Sequence, residues 1–369
     1  MDSVVHVDGS YGEGGGQVLR TSLTLSTLTG RPARVHSIRA GRSSPGLAPQ
    51  HLTGVLALAD VCGAEIDGAR IGSTEVLFHP KTPPRPDRYA FDVASVAKGG
   101  SAGSVTLLLQ ALLVPLALAP APSQLRLTGG THVAWSPPFH YIESVYLPAL
   151  SRMGIRAECS LDAWGFYPKG GGRITVEMGP GSAADSGAPH AAGPGPLTLT
   201  ARGELKSLKG VAVACNLSSA IAQRMANRAR NMLGEAGIRS DVAPLRVRGT
   251  GPGAAIVLVA EYEETVAAFS ALGERGKPAD KVAEEAIRDF LHHHESGAPV
   301  DMHLADQLLL PMSLAMGRSE FRTCRITRHL LTNKHVIGQF LPATIDVQGE
   351  EGAPGTVIID GAGTGREEE

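Results

Sequence analysis

The sequence predicts an α/β (α+β) fold built from three repeats of one β-α-β-α-β-β unit, with a smaller α/β domain inserted before the last. Three observations predict it. Segments 12–30, 99–119 and 303–317 each start with glycine or polar residues and continue as a helix that is apolar on most faces. Each is followed by an extended run (ARVHSI, SQLRLTGG, FRTCRIT), a second helix, and an alternating run: EVLFHP, GRITVEM or GTVIID. Residues 179–196, GPGSAADSGAPHAAGPGP, have the composition of a surface linker and open a block of different pattern.

In order, the second helices are PQHLTGVLALADVCG, FHYIESVYLPALSRMG and HLLTNKHVIGQFLP. Gly63 and Gly154 follow the first two as helix-ending glycines, where a left-handed conformation frees the last carbonyls to be capped. Two helices on one face of each sheet give three similar layers. The block after the linker reads as strands LTLTARGEL and GVAVACNL, and a helix SSAIAQRMANRARNMLGEAG with serine at its start and glycine at its end. A fully apolar strand AAIVLVAEY and a helix ADKVAEEAIRDFLHHH follow, the His292–His294 run reading as a solvated end. The expected boundaries are 1–182 for repeats one and two, 183–295 for the insert and 296–369 for repeat three.

Composition removes several classes of function. A chain of 369 residues that is 43% hydrophobic buries a substantial core. A net charge of −2 excludes a basic nucleic-acid coat but leaves room for a local phosphate site. Cys62, Cys159, Cys215 and Cys324 lie far apart, which argues against a zinc site or a disulfide framework and favours a reducing cytoplasm. The start of the chain has no basic and apolar run of a secretory signal. The longest apolar stretch, Val105 to Pro120, is interrupted by Gln110 and two prolines and is short for a membrane span. No membrane association is expected, and an oligomer stays open.

Five constellations can carry chemistry. The turn G-E-G-G-G-Q, 12–17, opens a helix whose free N–H groups attract anions, with Glu13 able to hold a divalent cation or stand solvated. Arg39, Arg42, Gln50 and His51 lie between a strand and a helix, where guanidinium forks would clamp phosphate or simply be solvated. Gln110 sits in an apolar helix and must find a partner in the core or on a ligand. His303, Asp306 and Gln307 open the third repeat's first helix, where Asp306 caps the helix or faces a ligand. His329 is structural or a nucleophile; the second role needs a neutral nitrogen and an ordered second one.

Together the motifs resemble the RNA 3′-terminal phosphate cyclase family. The resemblance rests on Y-G-E-G-G-G-Q-V-L-R (11–20), I-R-A-G-R-S-S-P-G-L (38–47), P-Q-H-L (49–52), G-G-S-A-G-S-V-T-L-L-L-Q (99–110), G-G-T-H-V-A-W-S-P-P (129–138), G-F-Y-P-K-G-G-G (165–172), H-L-A-D-Q-L-L-L-P-M (303–312) and R-H-L-L-T-N (328–333). It implies three units, each a four-stranded sheet with two helices, plus a smaller insert. It implies a ligase that uses ATP and a divalent cation, Mg²⁺ or Mn²⁺, to convert an RNA 3′-phosphate into a 2′,3′-cyclic phosphate. The route passes through AMP bonded to a histidine and an RNA-(3′)pp(5′)A end. His329 matches the nucleophile and Glu13 the metal ligand. Arg20, Arg39, Arg42, Gln50 and His51 match the RNA-phosphate group. Gln110, Pro137, Tyr141, His303, Leu304, Ala305, Asp306 and Gln307 match the ATP-binding elements. His303 stands where family members often carry tyrosine. Silent relatives, a non-catalytic RNA-processing alternative, lack the histidine. Enolpyruvyl transferases share the repeat type, so fold alone does not assign the reaction.

Overall fold

A computed structural model of the chain describes residues 3–96, 101–179 and 193–363. Gly99 and Gly100 of the second glycine start, and 180–192 of the linker, fall outside these.

The first unit runs β1 (Val5–Asp8), α1 (Gly16–Thr29), β2 (Ala33–His36), α2 (Pro49–Cys62), β3 (Glu65–Asp67) and β4 (Val76–His79). The second runs β5 (Arg88–Asp92), α3 (Val105–Ala117), β6 (Ser123–Gly129), a helical stretch, β7 (Ala157–Ala163) and β8 (Gly172–Met178). That stretch is α4 (Phe139–Tyr141), a π-helical turn (Ile142–Tyr146) and α5 (Leu147–Arg152). The third begins with β9 (Thr198–Leu199) and resumes as α8 (Met302–Ser313), β14 (Met316–Thr323), α9 (Arg328–Phe340), β15 (Thr344–Gln348) and β16 (Gly355–Ala362). Between them lie β10 (Leu205–Cys215), α6 (Ser219–Glu235), β11 (Asp241–Val247), β12 (Gly253–Tyr262), β13 (Val266–Leu272) and α7 (Ala279–Ser296).

The three units share one topology. Their sheet orders are β1-β2-β4-β3, β5-β6-β8-β7 and β9-β14-β16-β15, each with its first pair parallel and the others antiparallel. The intervening sheet is ordered differently, β11-β10-β12-β13. The expected start of the insert at 183 moves. Thr198 and Leu199 pair with Glu320 and Phe321 of β14, so they complete the third sheet, and the intervening sheet starts at Leu205. The run LTLTARGEL is accordingly not one strand of the insert.

Helix α1 lies at the centre, packed on α2, α3 and α9. Each fully buried leucine or valine on it contributes about 1.5–3 kcal/mol. Its buried hydroxyls are satisfied within the helix bundle. Ser22 donates to the Val18 carbonyl at 2.7 Å, and Thr24 to Ala111 of α3 at 3.1 Å. Gly30 ends the helix in the left-handed region at φ 75°. The histidines ending α7 differ from expectation: His293 is 1% exposed, with neither ring nitrogen hydrogen-bonded, and burial pulls it down to about 4. Phe269 and Tyr262 cover its ring. No disulfide joins the four cysteines, and no described helix is long and apolar enough to cross a membrane.

Candidate functional site

The helix of the glycine turn starts at Gly16, so residues 12–15 form a free loop over its N-terminus. Gly12 and Gly14 take φ +64° and +56°, values that L side chains rarely adopt. Neighbours fix the turn from three sides. Thr332 of α9 occupies the space a Cβ at Gly12 would need, His51 of α2 does so at Gly16, and Arg42 Nη2 would lie 3.3 Å from a Cβ at Gly15. Tyr11 stacks on His335 with centroids 3.7 Å apart.

This packing brings Glu13 and Gln17 to His329. Thr327 caps α9 by accepting from the Leu330 N–H, which sets His329 in the first turn. Its Nδ1 lies 2.6 Å from Gln17 Oε1 and its Nε2 lies 2.9 Å from Glu13 Oε2. Gln17 Nε2 donates to Asp306 Oδ2 at 2.9 Å. An amide oxygen only accepts, so the Gln17 contact puts a proton on Nδ1; the Glu13 carboxylate also only accepts and favours a second proton on Nε2, so that nitrogen presents a lone pair only when Glu13 turns away. Burial pulls His329 below its ordinary 6.5, and the Glu13 carboxylate opposes that shift. The imidazole is half exposed, 47%, so a ligand can reach it. An imidazole oriented at Nδ1, whose Nε2 is released when Glu13 moves off it, is equipped for nucleophilic or base chemistry.

Asp306 does not cap its helix, as its position near the start of α8 allowed. Asp301 is the cap, accepting from the His303 and Leu304 N–H groups at 2.9 and 3.0 Å. Asp306 sits one turn further in, pushed up to about 7 by burial and held back by Arg20. Burial likewise draws Arg20 down to about 10. Asn333 joins the two helices, donating to the Asp306 carbonyl at 3.0 Å and accepting from Thr21 at 2.8 Å.

The remaining expected residues fall into three groups. Arg20, Gln50 and His51 line one cleft between α1, α2 and α3, together with Ser104 and Leu107. Gln50 Oε1 accepts from the Ser104 N–H at 3.1 Å. Arg39 folds back on its own loop, donating to the Gly46 carbonyl at 2.9 Å, whereas Arg42 is exposed over the glycine turn. Gln110 Nε2 and Gln307 Oε1 are buried without a partner, a donor and an acceptor that a bound ligand can satisfy. Leu304 and Ala305, at 3% and 0% exposure, point into the core and offer a ligand no side chain. Tyr141 is 4% exposed, with its hydroxyl donating to Asp301, so it supports the start of α8 and only its ring edge meets His303. The Pro137 carbonyl accepts from Thr106 at 2.6 Å.

His51 predicts a pH effect. Burial, with Arg39 and Arg20 nearby, lowers it to about 3, and its Nδ1 accepts from the Ala48 N–H. Between pH 6.5 and 3 the unfolded chain therefore binds more protons than the folded one at this residue, and stability falls as pH falls. His51→Asn is expected to flatten the slope of unfolding free energy against pH by up to about one proton in urea melts. An unchanged slope contradicts the assignment.

Among the described residues no three His, Cys, Asp or Glu side chains group as a metal site. Glu13 stands as a single carboxylate at the nucleophile-like nitrogen. That arrangement suits a cation such as Mg²⁺, which takes one or two carboxylates and completes its shell with water and substrate phosphates.

The sequence profile of the RNA 3′-terminal phosphate cyclase family matches residues 11–347, which include all of these positions. Proteins called RNA 3′-terminal phosphate cyclase are similar over nearly the whole chain. That of Gloeothece citriformis is 49% identical over 94% of this chain and 97% of its own. That of Methylococcus capsulatus is 47% identical over 97% of each. The archaeal protein of Thermococcus onnurineus is 41% identical over 97% of this chain and 100% of its own. This chain belongs to the RNA 3′-terminal phosphate cyclase family.

Proposed function

We propose that the chain converts an RNA 3′-terminal phosphate into a 2′,3′-cyclic phosphate at the expense of ATP, with His329 as the nucleophile. The observation that carries this reading is the imidazole held by Gln17 at Nδ1 with its Nε2 turned to Glu13, beside the anion-attracting glycine turn. In the first step Nε2 attacks the α-phosphorus of ATP. An N–P bond forms, the bond to pyrophosphate breaks, and the charge on the imidazolium is cancelled by the phosphoramidate anion. In the second, a 3′-phosphate oxygen attacks that phosphorus and neutral imidazole leaves. In the third, the ribose 2′-oxygen attacks the activated 3′-phosphorus, its proton is lost and AMP departs. The attacking and leaving groups share one ribose, so proximity lowers this last barrier.

Glu13 is the residue to hold the cation, which supplies charge neutralisation on the phosphates. A Glu13 engaged with a cation would no longer face Nε2 and would leave that nitrogen to the nucleotide. Gln110 and Gln307 carry the buried polar atoms suited to the nucleotide. Arg20, Gln50 and His51 line the cleft suited to the RNA end, with Arg42 above it. His51 acts there as a neutral hydrogen-bonding group rather than a cation.

The test is incubation with α-labelled ATP and Mg²⁺ or Mn²⁺. Label is expected on the denatured protein, stable to base and labile to acid, and a chase with RNA 3′-phosphate is expected to release it as AMP with a cyclic end formed. A wild-type protein that takes up no label overturns the reading. Arg42→Ala is expected to raise KM for the RNA 3′-phosphate about 10- to 100-fold, the worth of a lost charge-assisted hydrogen bond. Label uptake from ATP alone should change much less, and equal losses in both steps contradict the placement.

A further inference from the structure

Two of the most exposed large side chains in the described chain stand next to this site with no role in it. Trp135 is 99% exposed and Tyr167 76% exposed. Trp135 also takes φ +64°, a costly backbone for a bulky residue, fixed by Ser136 donating to the Val133 carbonyl at 2.9 Å. A tryptophan held in solvent by a strained turn forgoes its own burial.

The two aromatics are carried by loops that are tied together. The Thr131 and His132 N–H groups both donate to the Gly165 carbonyl, at 2.9 and 3.1 Å, and His132 stacks on Trp164 with centroids 4.7 Å apart. His132 Nε2 and His140 Nδ1 lie 3.0 Å apart beneath. The loop joining β11 to β12 completes the surface: Gly249 bridges to Trp164, and Lys169 packs against Gly251. The three segments 129–138, 164–172 and 244–253 contain Lys169, Arg246 and Arg248 and no carboxylate, in a chain whose net charge is −2.

The surface is continuous with the substrate cleft. Gly170 abuts Ser101 and Ala102, Gly130 exchanges hydrogen bonds with Gly103 and Val105, and the intervening Ser104 binds Gln50. Planar side chains among cations, without carboxylates, match single-stranded nucleic acid: bases stack on the rings while phosphates meet the charges. We infer that Trp135 and Tyr167, with Lys169 and Arg248, form a stacking platform for the RNA nucleotides preceding the terminal ribose phosphate. The β11–β12 loop gives the intervening domain its part in RNA binding. This inference rests on the cyclase reading for the identity of the strand, not for the existence of the platform.

The experiment uses the full chain. With Trp164→Phe, Trp135 is the sole tryptophan, and its emission is expected to be quenched by a ten-nucleotide RNA ending in 3′-phosphate but not by a nucleoside 3′-phosphate. In turnover, Trp135→Ala and Tyr167→Ala are each expected to raise KM for the decanucleotide about tenfold relative to the nucleoside 3′-phosphate, with Trp135→Phe restoring most of the loss. Lys169→Ala combined with Arg248→Ala should reduce the log–log salt slope of binding by about 1.4. Label uptake from ATP alone serves as the folding control. A decanucleotide KM unchanged in both aromatic variants, or raised equally for both substrates, overturns the platform and leaves the surface to a partner of another class. If the wild type takes up no label from ATP, the cyclase reading falls, while the quenching titration still decides the platform.

Discussion

His329→Ala is expected to remove protein labelling from α-labelled ATP, with the rate falling by at least about 10⁴-fold, because no other group replaces the bond-forming nitrogen. The side chain is half exposed, so the variant should keep its fold and its melting temperature. The three-step route makes a sharper statement. RNA already carrying the (3′)pp(5′)A end needs only attack by its own 2′-oxygen, so His329→Ala should still close the ring on that substrate at a rate within about tenfold of wild type. A variant dead on both substrates shows that the imidazole acts in the last step as well. The acid limb of labelling tests the charge state. Neutral imidazole is the reactive form, and burial holds His329 below 6.5 against the pull of Glu13. The imidazole's own part of that limb, below the one Asp306 contributes near 7, should have its midpoint below 6.5, and Glu13→Gln should move it lower, since the opposing carboxylate is gone.

Much of this was legible in the sequence because the informative features are local. Gly63 ends α2 and Gly154 follows α5 at left-handed φ values of 58° and 84°, as a glycine after an apolar helix implies. The common unit showed as an order of element types, and each unit closes its sheet in the same strand order. The chain-distant features were hidden. Strand β9 belongs to the third sheet only because β14 pairs with it from across the insert; the alternating LTLT announces a strand but not which sheet it joins. His293 belongs to a polar-looking run, yet rings from β12 and β13 cover it. At the site, the motifs marked His329, Glu13 and Asp306, but not what joins them. Gln17 lay inside a quoted motif and looked like one more helix-start residue. Its role exists only where α1, α8 and α9 meet, as does that of Asn333. The apolar character of Leu304 and Ala305 was the available signal that they serve the core.

That junction carries the second large effect. Ionised Asp306 has only acceptor oxygens, so Gln17 must turn its NH₂ toward it and its Oε1 toward His329. The amide thereby transmits the carboxylate's polarity and fixes the imidazole proton on Nδ1. Gln17→Leu removes both contacts, leaving the ring free to rotate and to take the other tautomer with Nε2 protonated. Its labelling kcat is expected to fall about 10²- to 10⁴-fold, by analogy with the loss of tautomer control in catalytic triads, with KM for ATP changing far less. Asp306→Asn tests the same lock from its far end. An amide at 306 can donate or accept, so Gln17 is satisfied in either orientation and the tautomer is no longer dictated. A loss of about ten- to a hundredfold is expected, smaller than for Gln17→Leu, because the acceptor at Nδ1 is still available in one orientation. Because burial pushes Asp306 up to about 7, protonation loosens the lock in the wild type too, so labelling should decline as pH falls through 7, before His329 itself is charged. Asp306→Asn should lack that decline. If Gln17→Leu labels at the wild-type rate, or Asp306→Asn keeps the wild-type profile, orientation through the amide is not what readies the nucleophile.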